Sequence, residues 1–146
     1  MTSLNKKNFR DWTQMKLLEE INLANGLNLK IFDLSRSVAA DTFKVEISFQ
    51  TKVDLKESYF SSPQDYDQVK NIMGAELTYE NKRVRSFVYE KDQNSIREDL
   101  INTFKNNSLA YVASVNFPQK LALSMLRDIK NNPYKYHPHI YSDSEE

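Results

Sequence analysis

The 146-residue chain contains no cysteine, which excludes disulfides, thiolate-bound zinc, iron–sulfur clusters and a cysteine nucleophile. It has two histidines, His137 and His139, on either side of Pro138. Two imidazoles without a third ligand make a weak metal site, and a histidine-based triad needs partners that are missing here. We therefore expect no metal, no cofactor and no catalytic residue of these kinds.

Glycine is almost as scarce, since the sequence has only Gly26 and Gly74. A glycine-rich phosphate loop and a dinucleotide-binding fingerprint each need several glycines close together, so both are excluded. No nucleophile elbow is present either. Neighbouring acids such as Asp65 and Asp67 are better explained by favourable charge at a helix start than by acid–base catalysis.

The chain also lacks an excess of charge of one sign and any long apolar run. Its 20 basic and 20 acidic residues balance, so no overall field attracts nucleic acid or an anionic membrane. The longest apolar run covers residues 109–113, whereas a membrane span needs about 20 residues. The first dozen residues do not resemble a secretory signal. These features predict a soluble, cytoplasmic protein without a membrane partner.

The clearest positive signal is a strand from Phe43 to Leu55, where apolar side chains occupy nearly all the odd positions and polar ones the even positions. Before it, a three-residue loop ending at Gly26 would pair Leu23 with Leu27 and place like residues opposite each other. A change in the parity of the apolar positions predicts a bulge near Ile31 and Phe32.

The next connection is predicted to be a four-residue loop over 39–42, with Val38 facing Phe43 and Phe32 facing Phe49. Three strands would then form an antiparallel meander. Residues 75–90 have strand character throughout and are interpreted as one long bent strand, with a tight hairpin as the alternative.

Three helices are predicted from capping residues and helical periodicity. The first begins with Ser62 and Pro63 and ends at Gly74, the second begins with a capping box at Ser95, and the third begins at Pro118. The sum is an α+β fold in which about three helices pack on one face of an antiparallel sheet of four or five strands. Residues 1–132 are predicted to form one domain, followed by a polar and aromatic tail over 133–146.

Four residues of the last strand are candidates for binding, because Arg83, Arg85, Phe87 and Tyr89 would share one face of a regular strand. Rings that stack on bases and cations that pair with phosphates are what single-stranded nucleic acid requires. The alternative is that the rings belong to the core or to an interface and the arginines are solvated.

Arg36 is the fifth candidate, since the predicted register places it on the core side of the sheet with Leu34 and Val38. An arginine in that position needs a carboxylate, a carbonyl group or an escape to water. Its functional interpretation is an anion contact, and its structural interpretation is a side chain that extends to solvent.

Three functions remain compatible with the sequence. The first is a non-catalytic domain that acts through protein contacts or self-association at the edge of its sheet, because the 8 Phe, 8 Tyr and 1 Trp exceed the needs of one core. The second is a nucleic-acid or anion-binding module, whose salt-sensitive binding would be lost when Arg83 and Arg85 both become alanine. The third is an enzyme that acts on a small molecule in a pocket between sheet and helices.

Overall fold

The structure is a computed structural model that describes residues 15–136. The histidine pair, most of the predicted tail and the segment tested for a secretory signal lie outside these residues. The five strands of the described chain are β1 (Lys16–Asn22), β2 (Asn28–Asp33), β3 (Arg36–Ala39), β4 (Thr42–Asp54) and β5 (Glu76–Tyr89). Its five α-helices are α1 (Pro63–Met73), α2 (Gln93–Asn107), α3 (Leu109–Val112), α4 (Phe117–Asn131) and α5 (Pro133–Tyr136). The strands form one antiparallel sheet, which confirms the predicted α+β class.

The described chain divides into two compact units. The first comprises residues 15–51 and 79–114, and so contains most of the sheet with helices α2 and α3. The second comprises residues 52–78 and 115–136 and contains helices α1, α4 and α5. No helix of the described chain is both long and apolar enough to cross a membrane.

The hairpin between β1 and β2 has the predicted register. Ile21 lies opposite Leu29, the amide of Leu23 donates to the carbonyl of Leu27, and Gly26 has a φ of 90°. A residue with that φ closes a three-residue loop, and glycine adopts it without steric cost. The predicted bulge is also present at this place, but the extra residue is Leu18 of β1 rather than a residue of β2.

The register between β2 and β4 differs from the prediction by one residue. Ile31, not Phe32, lies opposite Phe49, and Ser37, not Val38, lies opposite Phe43. The pair Ala39–Thr42 keeps the predicted register with a tighter turn than the predicted four-residue loop, and a bulge at Val38 shifts the residues before it by one. Since side chains alternate along a strand, one residue of slip reverses the face of every side chain in it.

From Lys30 to Ser37, strands β2 and β3 share a single register against β4, interrupted at residues 34–35. The amide of Leu34 still donates to the carbonyl of Glu46 at 2.8 Å, so the ladder continues through the interruption. Strand β1, the pair β2 and β3, and strand β4 are therefore equivalent to the three strands of the predicted meander. Strand β5 is one long strand, as predicted, and pairs with β4.

The core of the first unit lies on one face of the sheet, where Val45, Ile47 and Phe49 of β4 are fully buried. Helix α2 covers this face, since the ring of Phe104 stacks on that of Phe49 with centroids 3.8 Å apart. A salt bridge of 2.9 Å between Arg97 of α2 and Asp33 of β2 fixes the start of the helix over the sheet.

Helix α2 begins earlier than its predicted capping box. Its first residue is Gln93, and Asp92 is the N-cap residue without a side-chain cap. The hydroxyl of Ser95 donates instead to the carbonyl of Asp92 at 3.1 Å, inside the first turn. A three-residue 3-10 turn over Glu90–Asp92 leads directly into the helix, so no separate cap is needed there.

In the second unit, helix α1 has the predicted ends. The Ser62 hydroxyl accepts a hydrogen bond from the amide of Asp65 at 3.2 Å, Pro63 occupies the first helical position, and Gly74 ends the helix with a φ of 87°. Asp65 also pairs with Lys130 of α4 at 3.1 Å. Charge pairing thus joins two helices whose apolar faces were predicted separately.

Candidate functional site

The end of β5 is irregular at Phe87, whose φ of 59° lies in the left-handed region. Among the described residues it is the only residue other than glycine with a positive φ. Aromatic residues rarely adopt this conformation because their Cβ approaches the backbone, and it costs about 1–3 kcal/mol. The result is a phenyl ring that is 81% exposed.

Phe87 lies in an open groove of about 410 Å³ between the end of β5 and the start of α2. The strand contributes Arg85, Ser86, Phe87, Val88 and Tyr89, and the start of the helix contributes Asp92, Ser95 and Ile96. Val88 is buried beneath the groove, whereas Tyr89 beside it is 61% exposed. Two large rings are therefore presented to solvent within three residues of one strand.

The charges around this groove are of both signs. Arg85 lies 3.5 Å from Asp99 of α2, and both side chains are more than half exposed. A neighbouring groove of about 330 Å³ is lined by Asp41, Tyr89, Glu90 and Lys91. Carboxylates therefore line these grooves together with cations, which disfavours a polyanion and suits a protein surface.

The structure separates Arg83 from the other candidates of its strand. Its guanidinium points toward α2, where it lies 5.9 Å from the centroid of the Phe104 ring and donates to the Ser108 hydroxyl at 3.2 Å. A third contact runs from its Nε to the side-chain oxygen of Asn81 at 3.0 Å. These contacts give Arg83 a packing role.

Arg36 is also remote from the groove. Because of the one-residue register shift, it lies on the face of the sheet opposite the Phe49 core, not on the core side as predicted. Its Nη1 contacts the carboxylate of Glu46 at 3.2 Å and the carbonyl of Leu34 at 3.3 Å. Arg85, Phe87 and Tyr89 are thus the candidates that the structure brings together, and Arg36 and Arg83 stand elsewhere.

The helix side of the groove, with Asp92, Ser95 and Ile96, was absent from the sequence prediction. A signal for it existed in the short connection between strand and helix. Only Glu90–Asp92 separate Tyr89 from α2, and a turn of three residues keeps the start of the helix beside the end of the strand. The misplaced capping box hid this relation by moving the predicted helix start away from the strand.

In the first unit, the pKa of Tyr79 is shifted. Burial raises the pKa of the Tyr79 hydroxyl above its ordinary value of 10.0, and the nearby positive charge of Arg83 opposes the shift only in part. At alkaline pH the unfolded chain therefore loses this proton first. The contribution of Tyr79 to the free energy of unfolding is fully present below the ordinary pKa. It is lost as the pH rises through the higher pKa of the folded state.

The variant Tyr79→Phe is expected to be less sensitive to alkali than the parent protein, because it has no phenol to ionise. Thermal unfolding followed by circular dichroism between about pH 8 and 11 would measure this difference, since the two proteins differ only in the phenol of Tyr79. A parallel decline of the two melting temperatures would contradict the prediction.

Within residues 15–136, no group of three or more histidine or acidic side chains could hold a metal ion. No family model, curated protein or solved structure matches the chain. The function must therefore be argued from the geometry of the groove itself.

Proposed function

We propose that the protein is a non-catalytic interaction domain that self-associates through the groove at the end of β5. The single observation that supports this proposal most is the exposed Phe87 ring on a left-handed backbone. The unfavourable backbone conformation does not stabilise the unit, and the exposed apolar ring does not increase its solubility. Strain of this kind is typical of sites that act on a partner.

The occupant we propose is a second copy of the chain. Around a two-fold axis, the Phe87 ring of each copy would enter the groove of the other, against Val88 and Ile96. Arg85 of one copy would then approach Tyr89 of the other, as a cation over a ring. Such a surface is self-complementary because it carries both the projecting ring and the groove that receives it.

The edge of the sheet is accessible for this contact. Among the described strands, β5 pairs with β4 alone, so its outer edge has no strand beside it. The positive φ of Phe87 interrupts the regular backbone of that edge, which disfavours simple extension of the sheet. The contact we propose therefore depends on side chains packed in the groove.

The variant Phe87→Asn tests this proposal. Asparagine tolerates a positive φ and carries no ring, so the variant should weaken association about 30-fold while its monomer is as stable as the parent or more so. Sedimentation velocity at protein concentrations up to about 100 µM would detect self-association with a favourable free energy of about 5 kcal/mol or more. Urea unfolding of both proteins would measure the stability of the monomer.

The matched control is Val115→Asn, which removes another strongly exposed apolar side chain, 83% exposed. It should associate like the parent protein. A parent that is monomeric over the whole range, or equal effects of both variants, would contradict the proposal. Salt-sensitive binding of a single-stranded oligonucleotide that disappears in Arg85→Ala would instead favour the nucleic-acid function.

A further inference from the structure

The face of the sheet opposite the Phe49 core carries a buried carboxylate surrounded by cations. The Glu46 side chain is only 9% exposed. Arg36 of β3 lies 3.2 Å from its Oε1, Lys44 of β4 lies 4.0 Å from the same oxygen, and Lys82 of β5 lies 3.8 Å from its Oε2. Each of three strands thus places one cation beside the Glu46 carboxylate.

This arrangement has more positive charge than the carboxylate balances. Three cations against one anion leave an excess of two positive charges. Arg36 and Lys44 are moreover direct cross-strand partners, a position in which like charges destabilise a sheet. A carboxylate that needed only to be neutralised would be satisfied by Arg36 alone.

The two lysines have donors to spare. Their Nζ atoms are 4.0 and 3.8 Å from the carboxylate, beyond hydrogen-bond distance, and the Lys44 and Lys82 side chains are 34% and 48% exposed. Another acid on this face, Glu80, already accepts hydrogen bonds from Ser48 at 2.6 Å and Gln50 at 3.1 Å. It is thus occupied by neutral donors.

We propose that Arg36, Lys44 and Lys82 form a binding site for a divalent oxyanion of the phosphate class, free or as a monoester. The oxyanion would accept hydrogen bonds from the two ammonium groups and balance the excess charge. Glu46 is a competing anion that partly neutralises the three cations while the site is empty. This site is independent of the groove at Phe87 and of the self-association proposed there.

Calorimetric titration with inorganic phosphate, at constant ionic strength set with chloride, tests this site directly. The double variant Lys44→Gln/Lys82→Gln should bind at least about tenfold more weakly, because it loses two charge-assisted donors. Lys52→Gln is the matched control, since Lys52 also belongs to β4 and pairs with a single carboxylate, that of Glu76 at 3.7 Å. It should bind like the parent protein. A parallel titration with phosphoserine distinguishes a free phosphate from a phosphate monoester.

The variant Glu46→Gln separates a binding site from a merely structural cluster. Removal of the competing carboxylate should tighten phosphate binding, and phosphate should raise the melting temperature of this variant more than that of the parent. Weaker binding in a folded Glu46→Gln protein, equal binding by all variants, or no phosphate binding by the parent would overturn the proposal. The circular dichroism spectrum of each variant establishes that it is folded.

Discussion

Replacement of Phe104 by alanine is expected to lower the free energy of unfolding by about 3–5 kcal/mol. The ring is fully buried and stacks on Phe49 at a centroid distance of 3.8 Å, with the two planes 9° apart. The guanidinium of Arg83, which belongs to β5, lies 5.9 Å from the centroid of the Phe104 ring. Alanine would therefore leave a cavity, remove an aromatic pair and deprive a half-buried cation of its ring.

Urea unfolding monitored by circular dichroism measures this loss as a lower midpoint of the transition. Phe87→Ala is the matched control, because it removes the same ring from a position that is 81% exposed. We expect its free energy of unfolding to change by less than about 0.5 kcal/mol, as for most surface substitutions. Similar losses in the two variants would mean that α2 does not pack on β4 as described.

The parts of the fold that could be predicted from the sequence are those with strong local determinants. Alternation along β4 identified its buried face, and the pairing of like residues predicted the three-residue loop at Gly26. The cap at Ser62 and Pro63 defined the start of α1 in the same way. In each case, neighbouring residues alone decide the conformation.

The register between β2 and β4 could not be predicted in this way, since a single-residue bulge at Val38 decides it. Matching of apolar residues favoured Phe32 opposite Phe49, whereas the fold places Asp33 on the core side and pairs it with Arg97 of α2. That pairing depends on a helix about 60 residues away in sequence, and no local pattern contains it.

The candidate site was predictable to a similar extent. The spacing of Arg85, Phe87 and Tyr89 predicted a common strand face, and in the structure all three line one groove because they belong to one short stretch of strand. Arg83 has the same spacing but faces Phe104. The left-handed backbone at Phe87, which defines the groove, belongs to a residue type for which no sequence rule expects it.

Asn25 shows how a residue with a clear local role acquires a second one in the fold. In the sequence it forms part of the loop that ends at Gly26, and its side-chain oxygen accepts a hydrogen bond from the amide of Leu27 at 3.2 Å. Its Nδ2 also donates to the carbonyl of Val112 and to that of Ser114, each at 2.8 Å. The β1–β2 loop is thus joined to the end of α3.

The variant Asn25→Asp is expected to lower the free energy of unfolding by about 2–5 kcal/mol at neutral pH, because two half-buried carbonyls would lose their donor and face a negative charge. The substitution preserves the size of the side chain, so a cavity does not contribute to the effect. At low pH the new carboxyl is protonated and regains one donor, and the loss should shrink as the pH falls. Urea unfolding at pH values of about 7 and 4 measures both quantities.

Asn28→Asp is the matched control, since Asn28 belongs to the same hairpin and its Nδ2 has one exposed partner, the side chain of Asn22 at 3.0 Å. An exposed amide that loses one such contact is expected to cost less than about 1 kcal/mol. Equal losses in the two variants would show that the Asn25 side chain does not join the loop to α3. A large loss at Asn25 alone, reduced by acid, would establish that two carbonyls at the end of a helix depend on one loop side chain.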